Sequence, residues 1–191
     1  MPASEKAAKI RERLVGAQRD KLIVQFARPF EPGTLAGYVI DVGPKLFLVA
    51  LLGDDFNFAQ YSCIRITDVR RLECPARYAD FYNKVRRLRG DKMPPRIRVD
   101  LTEISSFVGS QSQSLLTIHR EQTSPDTCEI GYALSMSNTA LEFLEIGPGA
   151  TWDSEPTYLR LNQITRIDLP GPYERALLLV GGQPRIRGGL H

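Results

Sequence analysis

Ile64-Arg65-Ile66-Thr67-Asp68-Val69-Arg70-Arg71-Leu72-Glu73-Cys74-Pro75-Ala76-Arg77-Tyr78 is answered 95 residues further on by Leu159-Arg160-Leu161-Asn162-Gln163-Ile164-Thr165-Arg166-Ile167-Asp168-Leu169-Pro170-Gly171-Pro172-Tyr173. The apolar positions coincide. So do an arginine before the turn (Arg65, Arg160), one after it (Arg71, Arg166), a proline and a tyrosine (Tyr78, Tyr173). Upstream, Leu35-Ala36-Gly37-Tyr38-Val39 is matched by Glu129-Ile130-Gly131-Tyr132-Ala133 at an offset of 94. A nearly constant offset over two separate blocks reads as a duplicated domain.

Working outward, both copies show one order of elements. In the first, Ser4–Ala17 has helical spacing, with Ala7, Ile10 and Leu14 on one face and Lys6, Lys9 and Arg13 toward solvent. Strands are expected over Lys21–Ala27, Leu35–Val42, Leu46–Leu52, Tyr61–Ile66 and Val69–Glu73, with turns at Gly43-Pro44-Lys45 and Thr67-Asp68. In the second copy Leu101–Val108 reads as a short helix. The strands follow over Leu115–Arg120, Cys128–Met136, Ala140–Ile146, Thr157–Leu161 and Ile164–Leu169. Between the copies Ala76–Arg89 is helix-like, stopped by Gly90 and stiffened afterwards by Pro94-Pro95. Ala176–Val180 reads as an extra strand, and Gly181–His191 as a loose tail. The implied domains are 1–75, a connecting helix and basic linker over 76–98, 99–180, and the tail 181–191.

Composition bounds the class. The 191 residues are 42% hydrophobic and 25% charged, enough for one medium domain or two small ones with a real core. Fifteen glycines and thirteen prolines are ordinary frequencies and exclude collagen-like or wholly disordered chains. No apolar run approaches the roughly 20 residues of a membrane-spanning helix. The opening Met1-Pro2-Ala3-Ser4-Glu5-Lys6 carries no secretory signature. A cytoplasmic protein with no membrane partner is expected. Cys63, Cys74 and Cys128, odd in number and scattered, suit a reducing compartment and fit no zinc spacing.

Short strands with brief turns in units this small favour a mainly β protein with a few helices, of the β-barrel class, because closure removes exposed edges. A helix, then five bent antiparallel strands with a glycine in the second, resembles the Sm-like (LSm-type) family of small SH3-like barrels. The residues in that family's first motif are Leu35, Gly37, Val39, Val42 and Leu46, and Ile130, Gly131, Ala133, Met136 and Ala140. Its second motif is echoed by Ile64-Arg65-Ile66-Thr67-Asp68-Val69 and Leu159-Arg160-Leu161-Asn162-Gln163-Ile164, with Ile66 and Leu161 where the family carries glycine. The resemblance implies two tandem five-stranded barrels, each preceded by a helix, and a pairing of strand four with strand five between subunits that closes rings or pseudo-dimers. The family's RNA-contacting Asp and Asn positions hold Gly43 and Phe47 in one copy and Ser137 and Leu141 in the other, so its nucleotide pocket is not carried over.

The halves differ in charge. Residues 1–98 hold 19 Lys and Arg against 11 Asp and Glu, and residues 99–191 hold 6 against 11. The densest run contains Lys84, Arg86, Arg87, Arg89, Lys92, Arg96 and Arg98 against the single acid Asp91. Such a segment suits a phosphate backbone, a solvated helix face, or docking on an acidic surface. The recurring Arg65/Arg160 and Arg71/Arg166 are expected to pin the tight connection through backbone carbonyls, with presentation of their guanidinium groups to a phosphate or carboxylate as the alternative. Tyr78 and Tyr173 are expected to cover a barrel end.

Motifs for catalysis are missing. Glu142 and Glu145, three apart in a strand, face opposite sides. Asp54/Asp55 and Asp153/Glu155 match no calcium loop. No nucleophile elbow or phosphate-binding glycine loop is present, and no cysteine has a histidine neighbour in sequence. The expectation is a non-enzymatic adaptor built from two duplicated barrels, with no cofactor and no metal. A protein partner or self-association would use the matching loops that carry Phe56, Phe58 and Trp152, because aromatics dominate interface energetics, unless the loop folds back on its own core. The alternative is RNA or single-stranded nucleic acid held by the basic N-terminal half. Convergence of the basic residues with aromatics on one face would favour it.

Overall fold

A computed structural model describes residues 3–184, which divide into two compact units, Met1–Glu103 and Ile104–His191. The first contains helix α1 (Ala3–Asp20), strands β1 (Ile23–Ala27), β2 (Leu35–Val42), β3 (Leu46–Leu52) and β4 (Phe58–Arg65), a 3-10 turn over Ile66–Asp68, β5 (Arg71–Glu73) and helix α2 (Ala79–Arg89). The second contains α3 (Ile104–Ser110), β6 (Leu116–His119), β7 (Cys128–Met136), β8 (Ala140–Glu145), β9 (Thr157–Arg160), a 3-10 turn over Leu161–Gln163, β10 (Arg166–Asp168) and α4 (Pro172–Gly181).

In the first unit the apolar stripe of α1 buries Ile10, Leu14 and Ala17 against Val24, Phe26, Phe47, Val49 and Ile64. Phe26 and Phe47 meet edge-on with ring centres 5.5 Å apart. Lys21, at φ 53°, turns the chain out of the helix, and the Leu22 N–H donates to the Ala17 carbonyl. Strand β3 reads Leu-Phe-Leu-Val-Ala-Leu-Leu and is buried at six of seven positions, so both its faces are covered. In β2 a bulge between Val39 and Asp41 bends the strand. A Cβ on Gly37 would collide with the Ala50 backbone, and one on Gly131 with that of Leu144. Both glycines stand where a neighbouring strand's backbone comes too close for a side chain.

The ladders are open. Strand order is β5-β1-β2-β3-β4 in the first unit and β10-β6-β7-β8-β9 in the second, all antiparallel. Among the described residues no ladder joins β4 to β5 or β9 to β10. The expectation of two closed five-stranded barrels is therefore corrected, and with it the Sm-like and SH3-like reading. The chain forms an open antiparallel sheet architecture with four helices. Strands β5 and β10 have only three residues each, pair with β1 and β6, and are followed within two residues by Pro75 and Pro170. A proline lacks the N–H that a longer ladder needs.

Ala176–Val180 is helical, not an extra strand. The Glu174 carboxylate accepts the Gly171 N–H at 2.9 Å and the Thr117 hydroxyl at 2.9 Å, capping a helix that starts with Pro172 and buries Leu177. A short apolar run does not separate strand from helix by periodicity, and here the cap decides. The expected tail lies largely outside the described residues. No helix among the described residues is long and apolar enough to cross a membrane.

Candidate nucleic-acid interface

The first unit folds its own basic segment across β2. Three contacts place it. The Tyr38 hydroxyl donates to Asn83 Oδ1 at 2.9 Å and joins α2 to the sheet. Arg89 donates to the Asp55 carbonyl at 2.8 Å and to Asn57 Oδ1 at 3.2 Å, tying the end of α2 to the β3–β4 loop. The Tyr61 hydroxyl donates to the Pro95 carbonyl at 2.8 Å, and burial pushes its pKa up. Gly90, at φ 72°, ends α2 and releases residues 91–99 as a strap with no regular hydrogen-bonded structure.

The β3–β4 loop is shaped for this contact. Phe56 holds a left-handed φ of 62°, a strain costing about 1 kcal/mol for a non-glycine residue. In return its ring packs on Phe81 at 5.3 Å and Tyr82 at 5.4 Å. The Asn57 backbone and side-chain N–H groups hold the Asp55 carboxyl below its usual range, at 3.0 and 2.6 Å. Phe58 lies 4.7 Å from Tyr61, ring to ring, and remains 40% exposed.

Three cavities follow the strap. One of 270 Å³ is lined by Tyr38, Leu52, Phe56, Asn57, Phe58, Arg86, Asp91, Lys92 and Pro94. The next, of 240 Å³, shares Tyr38 and Pro94 and adds Gln18, Lys21, Val39, Ile40, Met93 and Arg96. The third, of 400 Å³, shares Gln18, Ile40 and Arg96 and adds Asp41, Ile97, Arg98 and Val99. Shared walls make these one groove, with Arg86, Lys92, Lys21, Arg96 and Arg98 along it and the aromatic rings at one end.

Of the seven basic residues singled out in the sequence, Arg86, Lys92, Arg96 and Arg98 line the groove. Arg89 braces its wall through the loop. Lys84 and Arg87 are exposed on α2 and line none of the three cavities. Phe56 and Phe58 line the groove, whereas Trp152 stacks on Tyr132 at 5.6 Å and donates to the Gly182 carbonyl at 3.1 Å. Tyr78 and Tyr173 are about half exposed. Arg71 and Arg166 bind the carboxylates of Glu73 and Asp168. Arg160 is exposed, and burial lowers the pKa of half-buried Arg65 against the pull of Asp68.

Sequence reading missed Tyr38, Lys21 and Gln18 as groove residues. Nothing local marks them, because Tyr38 meets Pro94 only through the return of the chain over β2. Among the described residues, no group of three or more His, Cys, Asp or Glu side chains is arranged to hold a metal ion. No family model, curated protein or solved structure matches the chain.

Proposed function

We propose that the protein binds single-stranded nucleic acid along the groove of its first unit. The adaptor reading founded on two small barrels falls with the barrels. This one rests on side chains. Its main support is that cations and aromatic rings line one groove. Lys92, Arg96 and Arg98 make no ion pair or hydrogen bond among the described residues, so their charge is not neutralised locally. The unit as a whole carries 19 Lys and Arg against 13 Asp and Glu, a net +6. A positively charged track with stackable rings is how proteins hold single strands without reading a duplex groove. Asp41 and Asp91 in the walls set the strand's path by excluding phosphate from their own positions. The free thiols of Cys63, Cys74 and Cys128 suit the reducing cytoplasm as the place where this binding occurs.

The test is fluorescence anisotropy with short single-stranded RNA and DNA over a salt series. Wild type is expected to bind, with affinity falling steeply as salt rises. The triple variant Lys92→Glu, Arg96→Glu, Arg98→Glu is expected to lower the magnitude of the log–log salt slope by about 2, at roughly 0.7 per phosphate contact on a single strand. The double variant Lys84→Glu, Arg87→Glu, outside the groove, is expected to change that slope by less than half as much. Equal effects from both variants would mean non-specific charge attraction and would refute the groove.

A further inference from the structure

The 270 Å³ cavity at the aromatic end is a recess within the groove with its own polar chemistry. It falls just below the roughly 300–1,000 Å³ of whole small-molecule sites, room enough for a planar base. Phe58 offers a partly exposed ring face beside it. Two polar groups in its wall are unspent. The Arg86 Nε–H is buried and has no hydrogen-bond partner, although Arg86 also donates to the Asp91 carbonyl at 3.3 Å. The Asp91 side-chain carboxylate accepts no hydrogen bond among the described residues.

We infer that this recess holds one unstacked guanine base of the bound strand. This assignment rests on the nucleic-acid reading above. Guanine presents adjacent N1–H and N2–H donors, which match a carboxylate, and adjacent O6 and N7 acceptors, which match a guanidinium. Asp91 accepts from the first edge and Arg86 donates to the second, while Phe58 stacks on the ring face. Uracil offers a carboxylate one N–H flanked by carbonyls. Adenine and cytosine each offer one exocyclic amine. The carboxylate thus favours guanine over all three, and next to a phosphate track it is otherwise repulsive. Single-strand sites of this kind read bases on their open edges, which a duplex would hide.

The experiment compares four labelled RNA octamers, seven uridines with G, A, C or U at one central position, by anisotropy against wild type and Asp91→Asn. The G octamer is expected to bind wild type about tenfold more tightly than the U octamer, the discrimination of one good two-bond contact. Asp91→Asn should reduce that ratio below twofold while U-octamer binding becomes tighter, since a carboxylate leaves the phosphate track, which a folding defect would not do. Phe58→Ala is expected to weaken all four octamers together. Binding without base preference, a preference for C, or a G preference that survives Asp91→Asn overturns the guanine assignment and leaves the groove standing. Absence of binding to every octamer at low salt overturns the groove reading itself, and the base assignment with it.

Discussion

Gly131→Ala is expected to destabilise the second unit by about 3 kcal/mol or more, read as a large fall in the denaturant midpoint. Gly131 sits in β7 opposite Leu116 on one side and Glu145 on the other. The new Cβ would lie within contact distance of the Leu144 carbonyl and the Glu145 backbone. Backbone cannot rotate away as a side-chain tip can, so β7 must move from β8. That movement strips ladder bonds and opens the packing of Tyr132 and Phe143, both buried. Gly37→Ala should act the same way in the first unit, where the Ala50 backbone stands in the way. The control is Gly16→Ala. Gly16 lies inside α1 with nothing within 4 Å of the added carbon, and the change should stabilise by about 0.5–1 kcal/mol because alanine loses less backbone freedom. If Gly131→Ala and Gly16→Ala had the same sign, the close strand approach in β7 would be wrong.

The second large effect is at Asp168. Its side chain is 2% exposed, and its carboxylate meets His119 Nε2 at 3.0 Å and accepts two Arg166 hydrogen bonds at 2.7 Å. Thr165 donates to the His119 carbonyl at 3.0 Å and holds the neighbouring turn to the same strand. Asp168→Ala removes the carboxylate that the Arg166 guanidinium, 13% exposed, holds with two hydrogen bonds. Removal of one partner from such a buried pair is expected to cost about 3–5 kcal/mol. The pair is not a free gain, since burial of both charges offsets much of their attraction.

The same site makes stability pH-dependent. Burial opposes ionisation of Asp168, but the hydrogen bond from His119 and the Arg166 charge outweigh it, so the carboxyl titrates below its ordinary range in the folded chain. A depressed folded value means the unfolded chain takes up the proton first. The contribution is therefore complete above about pH 5 and is lost as pH falls through the unfolded value near 3.9 and below. Urea midpoints of wild type and Asp168→Ala measured from pH 7 to pH 3 should converge toward the acid end. A gap that stays constant with pH would assign the loss to packing alone.

Strand identity was readable where burial is regular. Leu35–Val42, Leu46–Leu52 and Cys128–Met136 are strands at the boundaries that alternation and turn residues indicate. The α1 stripe of Ile10 and Leu14 likewise enters the core. Local signals failed at chain ends and at contacts between distant segments. Ala176–Val180 has the apolar content of a strand, and only the Glu174 side chain reaching back to Gly171 makes it a helix. Closure of the sheet is invisible to periodicity, because period-two alternation is the same in an open ladder and in a barrel.

The site divides in the same way. Composition and spacing revealed a cluster of basic residues from Lys84 to Arg98 and aromatics at Phe56 and Phe58, since charge and ring content are properties of the residues themselves. Which of them face one groove depends on where the chain returns. Gly90 ends α2, Tyr61 and Tyr38 tie the strap and the helix to the sheet, and these contacts span 34 and 45 residues of sequence. They separate Arg86, Lys92, Arg96 and Arg98 from Lys84 and Arg87, which the sequence places in the same run. Element type and charge are local quantities, set by each residue and its near neighbours along the chain. Sheet closure and the lining of a groove are set by distances between segments far apart in sequence, and only folding fixes those distances.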